Sequence, residues 1–349
     1  MKARETILPV FVPHLGCPHD CVFCNQRRIA SREMPADATF VRETIEKAAL
    51  LPEKGRERQL AFYGGSFTAI PAREQESLLA EAYKAIEEGK IDAIRLSTRP
   101  DAISDEVLAR LRRYGVKTVE LGAQSLNDEV LRLSGRGHTA QDVVNASRAV
   151  KEAGFHLILQ MMTGLPGDTP ERSLATAESI IALQPDGVRI YPTVIVRDTA
   201  LYDLWQKGLY REHTVEDAVT LCARLLPLFT RAGIPVIRVG LNPTDDLTAH
   251  GAVAGAYHPA LGELVKSRVL RNRAEELFAS AAPGASAVLC VHPSKLSQMT
   301  GQRRCNILYL QKRFSLSSLK VRPLAELSPD EIHLEMSYAK TITPKSSGL

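Results

Sequence analysis

A chain of 349 residues with 44% hydrophobic and 24% charged residues has the composition of a globular protein, with room for one large domain and a smaller one. No apolar run approaches the roughly 18 residues of a membrane span, and Met1-Lys2-Ala3-Arg4-Glu5-Thr6 carries no signal-peptide core, so the expectation is a cytoplasmic protein with no membrane partner. The net charge of +4 is unevenly held: from Lys266 to Arg322 eleven Lys or Arg stand against Glu275 and Glu276, a local excess of +9. Such a segment attracts polyanions such as RNA, while a solvated surface whose acids lie elsewhere is the plainer reading.

In chain order, the pattern predicts strands at Ile7–Val12, Gln59–Tyr63, Ala93–Ser97, Thr118–Leu121, His156–Met162, Gly187–Tyr191 and Pro235–Val239. Amphipathic stretches between them predict helices at Thr39–Leu50, Ala72–Glu88, Asp105–Tyr114, Gln141–Ala153, Pro170–Leu183 and Val215–Ala232, with Thr139 as an N-cap. Strand-helix repetition argues for parallel strands joined by right-handed crossovers. After residue 245 the alternation loosens. Asn242–Asp246 and Gly251–Gly255 read as linker, followed by a helix at Leu261–Ala279, a strand at Ser286–Val291, a helix at Lys295–Lys312 and strands at Leu319–Arg322 and Ile332–Met336. The stretch Thr341–Leu349 reads as a frayed end. The expected domains are therefore 1–245 and a small basic α+β domain, 246–349.

His14-Leu15-Gly16-Cys17-Pro18-His19-Asp20-Cys21-Val22-Phe23-Cys24 follows the first strand and holds three cysteines as C-x3-C-x2-C. Three thiolates on one loop can hold three irons of a 4Fe–4S cube and leave the fourth open. Zinc competes, since His14 or His19 could supply a fourth ligand. A disulfide fits poorly, because one of three cysteines would be left over in a chain with no export signal.

With the aromatic Phe23 before the last cysteine, this loop resembles the signature of the radical SAM superfamily. The resemblance implies a partial (β/α)6 TIM-type barrel, a 4Fe–4S cluster on Cys17, Cys21 and Cys24, and S-adenosylmethionine (SAM) bound to the open iron. Cleavage to a 5′-deoxyadenosyl radical would follow, driven by an external electron donor. Ligands of β/α barrels sit where strands run into loops, and the remaining motifs fall there. Gly64-Gly65-Ser66 ends the second strand; read alone it is a turn without Cβ atoms, and by resemblance it binds the methionine amino group. Glu120 stands in an otherwise apolar strand and needs a partner, either SAM or a neighbouring Arg. Gln124 lies just beyond and, by resemblance, faces SAM. Arg136 in Gly135-Arg136-Gly137-His138 either holds the SAM carboxylate or belongs to an ordinary loop. Gln160 stands where related oxidases carry an Asp for the ribose, a departure that leaves its part open. The turn Gly164-Leu165-Pro166-Gly167 would flank the adenine. Met161 and Met162 read as core, as does Cys222 in its apolar helix.

The middle of the chain narrows the resemblance. Thr98-Arg99-Pro100-Asp101, Val119–Ser125, Arg136–Thr139 and Ala153-Gly154-Phe155 match the catalytic subunit of Elongator in order and spacing. So does Arg189-Ile190-Tyr191-Pro192-Thr193-Val194-Ile195-Val196-Arg197-Asp198-Thr199-Ala200-Leu201-Tyr202-Asp203-Leu204-Trp205. That family modifies the wobble uridine of transfer RNA, so RNA becomes the expected substrate. Two departures stand against a full match: the family's cysteine loop is longer, and its acetyltransferase-like domain needs a Gly-x-Gly pyrophosphate loop. The nearest string here, Gln298–Arg303, has one glycine, and the segment is short for that domain, so acetyl-CoA use is not carried over. Cys290, His292 and Cys305 form a small metal site or, more simply, core cysteines. The rival functions are a radical SAM enzyme acting on a small molecule such as a tetrapyrrole, and a non-catalytic, metal-stabilised RNA-binding module. No catalytic residue beyond the cofactor ligands can be singled out.

Overall fold

A computed structural model of the protein describes residues 4–12, 17, 20–25, 36–50, 56–242, 251–279 and 282–337. His14, His19, the 243–246 part of the expected linker and the stretch 341–349 lie outside these residues. The chain divides into two compact units, one of residues 1–221 and 225–259, the other of 222–224 and 260–349.

The first unit is built by strand-helix repetition. Its elements are β1 (Arg4–Phe11), α1 (Ala38–Ala49), β2 (Arg56–Tyr63), α2 (Ala72–Glu87), β3 (Ala93–Thr98), α3 (Asp105–Arg113), β4 (Val116–Gln124), α4 (Asp128–Leu133), α5 (Ala140–Glu152), β5 (His156–Thr163), α6 (Pro170–Ala182) and β6 (Gly187–Pro192). There follow β7 (Val194–Val196), α7 (Ala200–Gln206), α8 (Val215–Arg231), β8 (Val236–Val239) and β9 (Ala252–Gly255). Seven strands pair in the order β1-β2-β3-β4-β5-β6-β8, each parallel to its neighbours. The sheet curls into the expected partial TIM-type barrel.

Helix starts follow from side chains that accept an otherwise orphaned N–H. Asp37 accepts from Phe40 N at 2.8 Å, and Ser104, Asn127, Thr169 and Thr199 cap α3, α4, α6 and α7 in the same way. Thr139 and Thr214 form reciprocal capping boxes with Asp142 and Asp217. The stretch Gly251–Gly255, read as linker from its small residues, contains β9 instead. It pairs antiparallel with β7, a partner 56 residues earlier that local pattern does not reveal.

Period-two alternation sorts the strand residues between the helical jacket and the barrel interior. Leu60, Phe62, Ile94, Leu96, Val119, Leu121, Leu157 and Leu159 are fully buried on the jacket side. Tyr63, Ser97, Glu120, Gly122, Gln160, Met162, Arg189 and Tyr191 occupy the alternate positions and line an interior cavity.

The second unit contains α9 (Leu261–Leu277), β10 (Ser286–Val291), α10 (Leu296–Thr300), α11 (Cys305–Arg313), β11 (Ser318–Pro323) and β12 (Ile332–Ser337). Its sheet has the order β11-β10-β12, with β10 parallel to β11 and antiparallel to β12. Leu289, Val291, Leu319, Leu334 and Met336 pack with Leu270, Phe278, Ile307 and Leu310 of the helices in one core. The predicted helix Lys295–Lys312 is broken in two. Gly301 (φ 76°), Arg303 (φ 49°) and Arg304 (φ 62°) leave the right-handed region. The buried Asn306 amide explains the corner: its Nδ2 lies within 3.2 Å of Gln298 O, Met299 O, Ser267 O and Ser267 Oγ, so it serves carbonyls that the end of α10 leaves unpaired.

Candidate functional site

The cysteine loop is anchored from two sides through one residue, Val22. Val22 N donates to Ser134 O at 3.1 Å, just after α4, and Val22 O accepts from Leu201 N at 2.7 Å in the first turn of α7. Asn25 Nδ2 reaches Arg197 O and Asp198 O at 3.5 and 3.4 Å. The segment Arg197–Leu201, singled out earlier only for its resemblance, thus has a physical task. Cys24 N donates to Cys21 O at 3.0 Å and closes the turn between those cysteines. Gly135 permits the close approach: its φ is 66°, and a Cβ there would stand 3.2 Å from Asp20 O.

Cys17, Cys21 and Cys24 line a cavity of about 290 Å3. Among the described residues no three His, Cys, Asp or Glu side chains converge where a single ion could be held. His14 and His19, the further zinc ligands the sequence offers, lie outside the described residues, while an iron–sulfur cube takes each thiolate at a separate corner. Burial, then the neighbouring Cys21, pushes the Cys17 thiol up, and Arg136 and Arg99 oppose that shift.

Arg136 stands between two left-handed glycines, Gly135 and Gly137. It donates from Nη1 to Cys21 Sγ at 3.2 Å and from Nη2 to Gly122 O at 2.8 Å. Its own carbonyl accepts from Arg99 Nη2 at 2.6 Å, and Arg99 is held in turn by both oxygens of Asp101. Burial alone would raise the Asp101 carboxyl, yet hydrogen bonding and charge from Arg99 hold it below the usual carboxylate range. Gln124 ends β4 at a bulge with φ 64°. Gly122 makes room for both neighbours: a Cβ there would lie 3.0 Å from Gln124 Nε2 and 3.2 Å from Arg136 Nη2. Gln124 Oε1 and Arg136 Nε are buried with no hydrogen-bond partner among the described residues. Buried polar atoms of this kind ask for a ligand or ordered water. Three thiols, an adjoining cation and two orphaned polar atoms on one cavity fit an iron–sulfur cluster with a polar small molecule beside it.

Glu120 is fully buried and has protein partners on both oxygens. Oε1 accepts from Tyr63 OH at 2.9 Å, Arg95 Nη1 at 3.2 Å and Arg189 Nη2 at 3.1 Å; Oε2 accepts from Gln160 Nε2 at 3.2 Å. The ion pair to neighbouring arginines is therefore the partner this strand charge has. Arg189 Nε lies 2.9 Å from Oε2, though its angle does not make a hydrogen bond. Burial, the largest single influence, opposes the Arg189 charge, but Glu120 together with Tyr191 and Tyr63 outweighs it and keeps the guanidinium protonated. Burial first and Glu120 second push the Tyr63 phenol up, so it stays a neutral donor.

Every expected pocket residue, Gly64, Gly65, Ser66, Glu120, Gln124, Arg136 and Gln160, borders this cavity. Gly64 has φ 93°, which a side chain would resist. Met161 is fully buried, while Met162 borders the cavity. The turn at Gly164–Gly167 is outside the lining and is covered by His213, whose ring would meet a Cβ on Gly164 at 2.3 Å. Tyr63, Ser97, Arg99 and Arg189 line the cavity as well, although the sequence pattern gives them no pocket role. The signal that marked Glu120, a charge inside an apolar strand, also marks Arg95 and Arg189. Of the remaining cysteines, Cys222 and Cys290 are fully buried, but Cys305 is exposed and is no core residue.

Residues 11–180 match the family model of the radical SAM superfamily, and residues 185–271 match that of the radical SAM C-terminal domain. The chain is 31% identical over 265 residues to Elongator complex protein 3 of Homo sapiens, covering 70% of this chain and 47% of that protein. It is 30% identical over 246 residues to the tRNA uridine(34) acetyltransferase of Methanocaldococcus infernus, covering 68% and 44%. The solved archaeal Elp3 of Methanocaldococcus infernus, with an N-terminal deletion, superposes with a TM-score of 0.63 at 22% identity, covering 78% of this chain and 64% of that one. The chain spans less than half the length of the curated relatives it matches. Among the described residues no helix is long and apolar enough to cross a membrane.

Proposed function

Since the chain belongs to the radical SAM superfamily, whose cofactors are a 4Fe–4S cluster and SAM, we propose that it holds the cluster on Cys17, Cys21 and Cys24, cleaves SAM and modifies RNA, with a transfer RNA uridine as the target. The observation that carries this reading is the shared cavity of the three thiols and the orphaned atoms of Gln124 and Arg136. When bound, the cluster supplies the electron, taken from an external donor, that opens a sulfonium carbon–sulfur bond of SAM.

The chain's own residues prepare that step. Arg136 places a permanent cation against Cys21 Sγ, which offsets the negative charge that clustered thiolates accumulate. Val22, tied through its N–H to Ser134 and through its C=O to Leu201, holds the loop in register. Gly64 and Gly65 leave backbone polar groups accessible for the amino acid end of SAM, with Ser66 beside them. Gln124 and Arg136 offer one acceptor and one donor to the same ligand. Glu120, with its oxygens occupied, orients Gln160 and Tyr63 toward the cavity. The likeness to relatives named for Elongator and for uridine 34 of transfer RNA supports RNA as the substrate, as does the basic segment 266–322.

The test is anaerobic incubation of the reconstituted protein with SAM, reductant and total RNA. The expected result is release of 5′-deoxyadenosine together with an altered nucleoside detected by mass spectrometry. Release of 5′-deoxyadenosine with no altered nucleoside would turn the reading toward a small-molecule substrate.

A further inference from the structure

The break between α10 and α11 leaves the second helix with an unusual outer face. Residues four apart stack along one side of a helix, and two such rows run side by side on α11. One is Leu308-Lys312, with Arg304 just ahead of the helix at its head, and the other is Cys305-Tyr309-Arg313, all six exposed. Asn306, Ile307 and Leu310 take the opposite, buried side. Each row except for Cys305 reads basic at its ends and apolar in its middle, and the face is about 12 Å long from Cys305 to Arg313 at 1.5 Å per residue.

Four observations characterise this face. Arg304, Lys312 and Arg313, like Arg303 and Lys320, take part in no ion pair among the described residues, while Lys266, Arg271, Arg273 and Arg322 of the same unit are paired. Leu308 is 59% exposed and Tyr309 38%, an apolar step in the middle of cationic ends. The Tyr309 ring lies over the Arg271 guanidinium, 4.1 Å from its centroid, which fixes the ring from one side. Arg303 and Arg304 also hold left-handed backbone, a strained conformation for residues with side chains. It sets Arg304 at the head of the row.

We infer that the outer face of α11 is a docking surface for RNA, with Tyr309 as a stacking platform and Arg304, Lys312 and Arg313 as phosphate contacts. The inference rests on the RNA reading proposed above and gives that RNA a place on the chain. Every base has a π-face that can stack on a tyrosine, and flanking cations neutralise the phosphates on either side. An acidic protein segment would use the cations but would gain little from a braced aromatic ring between them.

The experiment uses the full chain with its cluster reconstituted and fluorescein-labelled bulk transfer RNA, read by anisotropy between 50 and 300 mM KCl. In the Arg304→Glu, Lys312→Glu double variant, affinity at 100 mM should fall about tenfold or more, and the log–log salt slope should become shallower by about 1.4 to 1.8. Tyr309→Ala should weaken binding about fivefold or more with an unchanged slope, and Tyr309→Phe should bind like the parent. Parental affinity in both the double variant and Tyr309→Ala overturns the inference. So does displacement of the RNA by charge-matched polyglutamate that binds all variants in the same order, since the face would then be read by an acidic chain. Release of 5′-deoxyadenosine without RNA is followed in parallel and should be unchanged, because these side chains are absent from the cavity lining. Loss of RNA affinity in the variants with no nucleoside ever modified would sink the substrate reading and leave the docking surface standing.

Discussion

Arg136 and Cys21 lie 115 positions apart in the chain, yet a guanidinium nitrogen of one stands 3.2 Å from the sulfur of the other. The same side chain reaches the carbonyl of Gly122, so it joins the cysteine loop to the end of β4. Replacing Arg136 by Met should leave the fold and most of the cluster in place but raise the SAM concentration for half-saturation about tenfold to a hundredfold, the loss expected for a hydrogen bond to a charged group. Iron content and SAM titration by calorimetry measure the two effects separately; unchanged SAM affinity would remove Arg136 from the pocket.

Single Cys17→Ala, Cys21→Ala and Cys24→Ala variants should each fail to hold a full 4Fe–4S cluster after anaerobic reconstitution. Iron and sulfide assays with the visible absorbance give the answer, and stoichiometric zinc in the native protein would count against the assignment.

Gly122→Ala adds a methyl 3.0 Å from Gln124 Nε2 and 3.2 Å from Arg136 Nη2. Both side chains must shift by tenths of an ångström, so SAM binding should weaken while thermal stability changes little. A larger loss of stability than of SAM affinity would show that the contact is only structural.

Glu120→Gln keeps the shape of the side chain but leaves Arg189 buried without a carboxylate counterion and Arg95 with Glu5 alone. Breaking a buried ion pair on one side costs about 3 to 5 kcal/mol. Urea unfolding of the apoprotein should show a loss of that order, and the Arg189→Met partner should recover part of it in the double variant.

Burial, then the Arg136 charge, lowers the His138 imidazole to about 4, while its Nε2 contacts Ala123 O at 3.2 Å. The folded state therefore holds this ring neutral, and the unfolded chain, with an ordinary value near 6.5, binds the proton first. The contribution to stability is complete above pH 6.5 and is lost as pH falls toward 4. Between pH 7 and pH 5 the loss should be about 2 kcal/mol. Urea unfolding of His138→Gln should show a correspondingly smaller drop over that interval.

Much of the barrel was legible because its signals are local. Strand ends at Tyr63, Gln124 and Thr163 fall within three residues of the predicted ends, and Thr139 caps α5 as its spacing demands. The three cysteines and the pocket residues at strand ends share a cavity for the same reason: a β/α repeat delivers all its strand-to-loop junctions to one end. Where the expectation failed, a distant partner had intervened. The corner between α10 and α11 depends on Asn306 reaching Ser267, 39 residues back, and β9 exists through its pairing with β7.

The sequence by itself determined the ligand spacing of Cys17, Cys21 and Cys24, the alternation that makes a parallel barrel, and the positions along each strand that point inward. Only the tertiary structure decided how the inward charges neutralise one another. Glu120 takes Arg95 from 25 positions before it and Arg189 from 69 positions after it, and Arg136 is turned toward Cys21 rather than toward a carboxylate. Periodicity is written in neighbouring residues, whereas the cost of a buried charge depends on which side chains the register and curl of the sheet bring within about 3 Å.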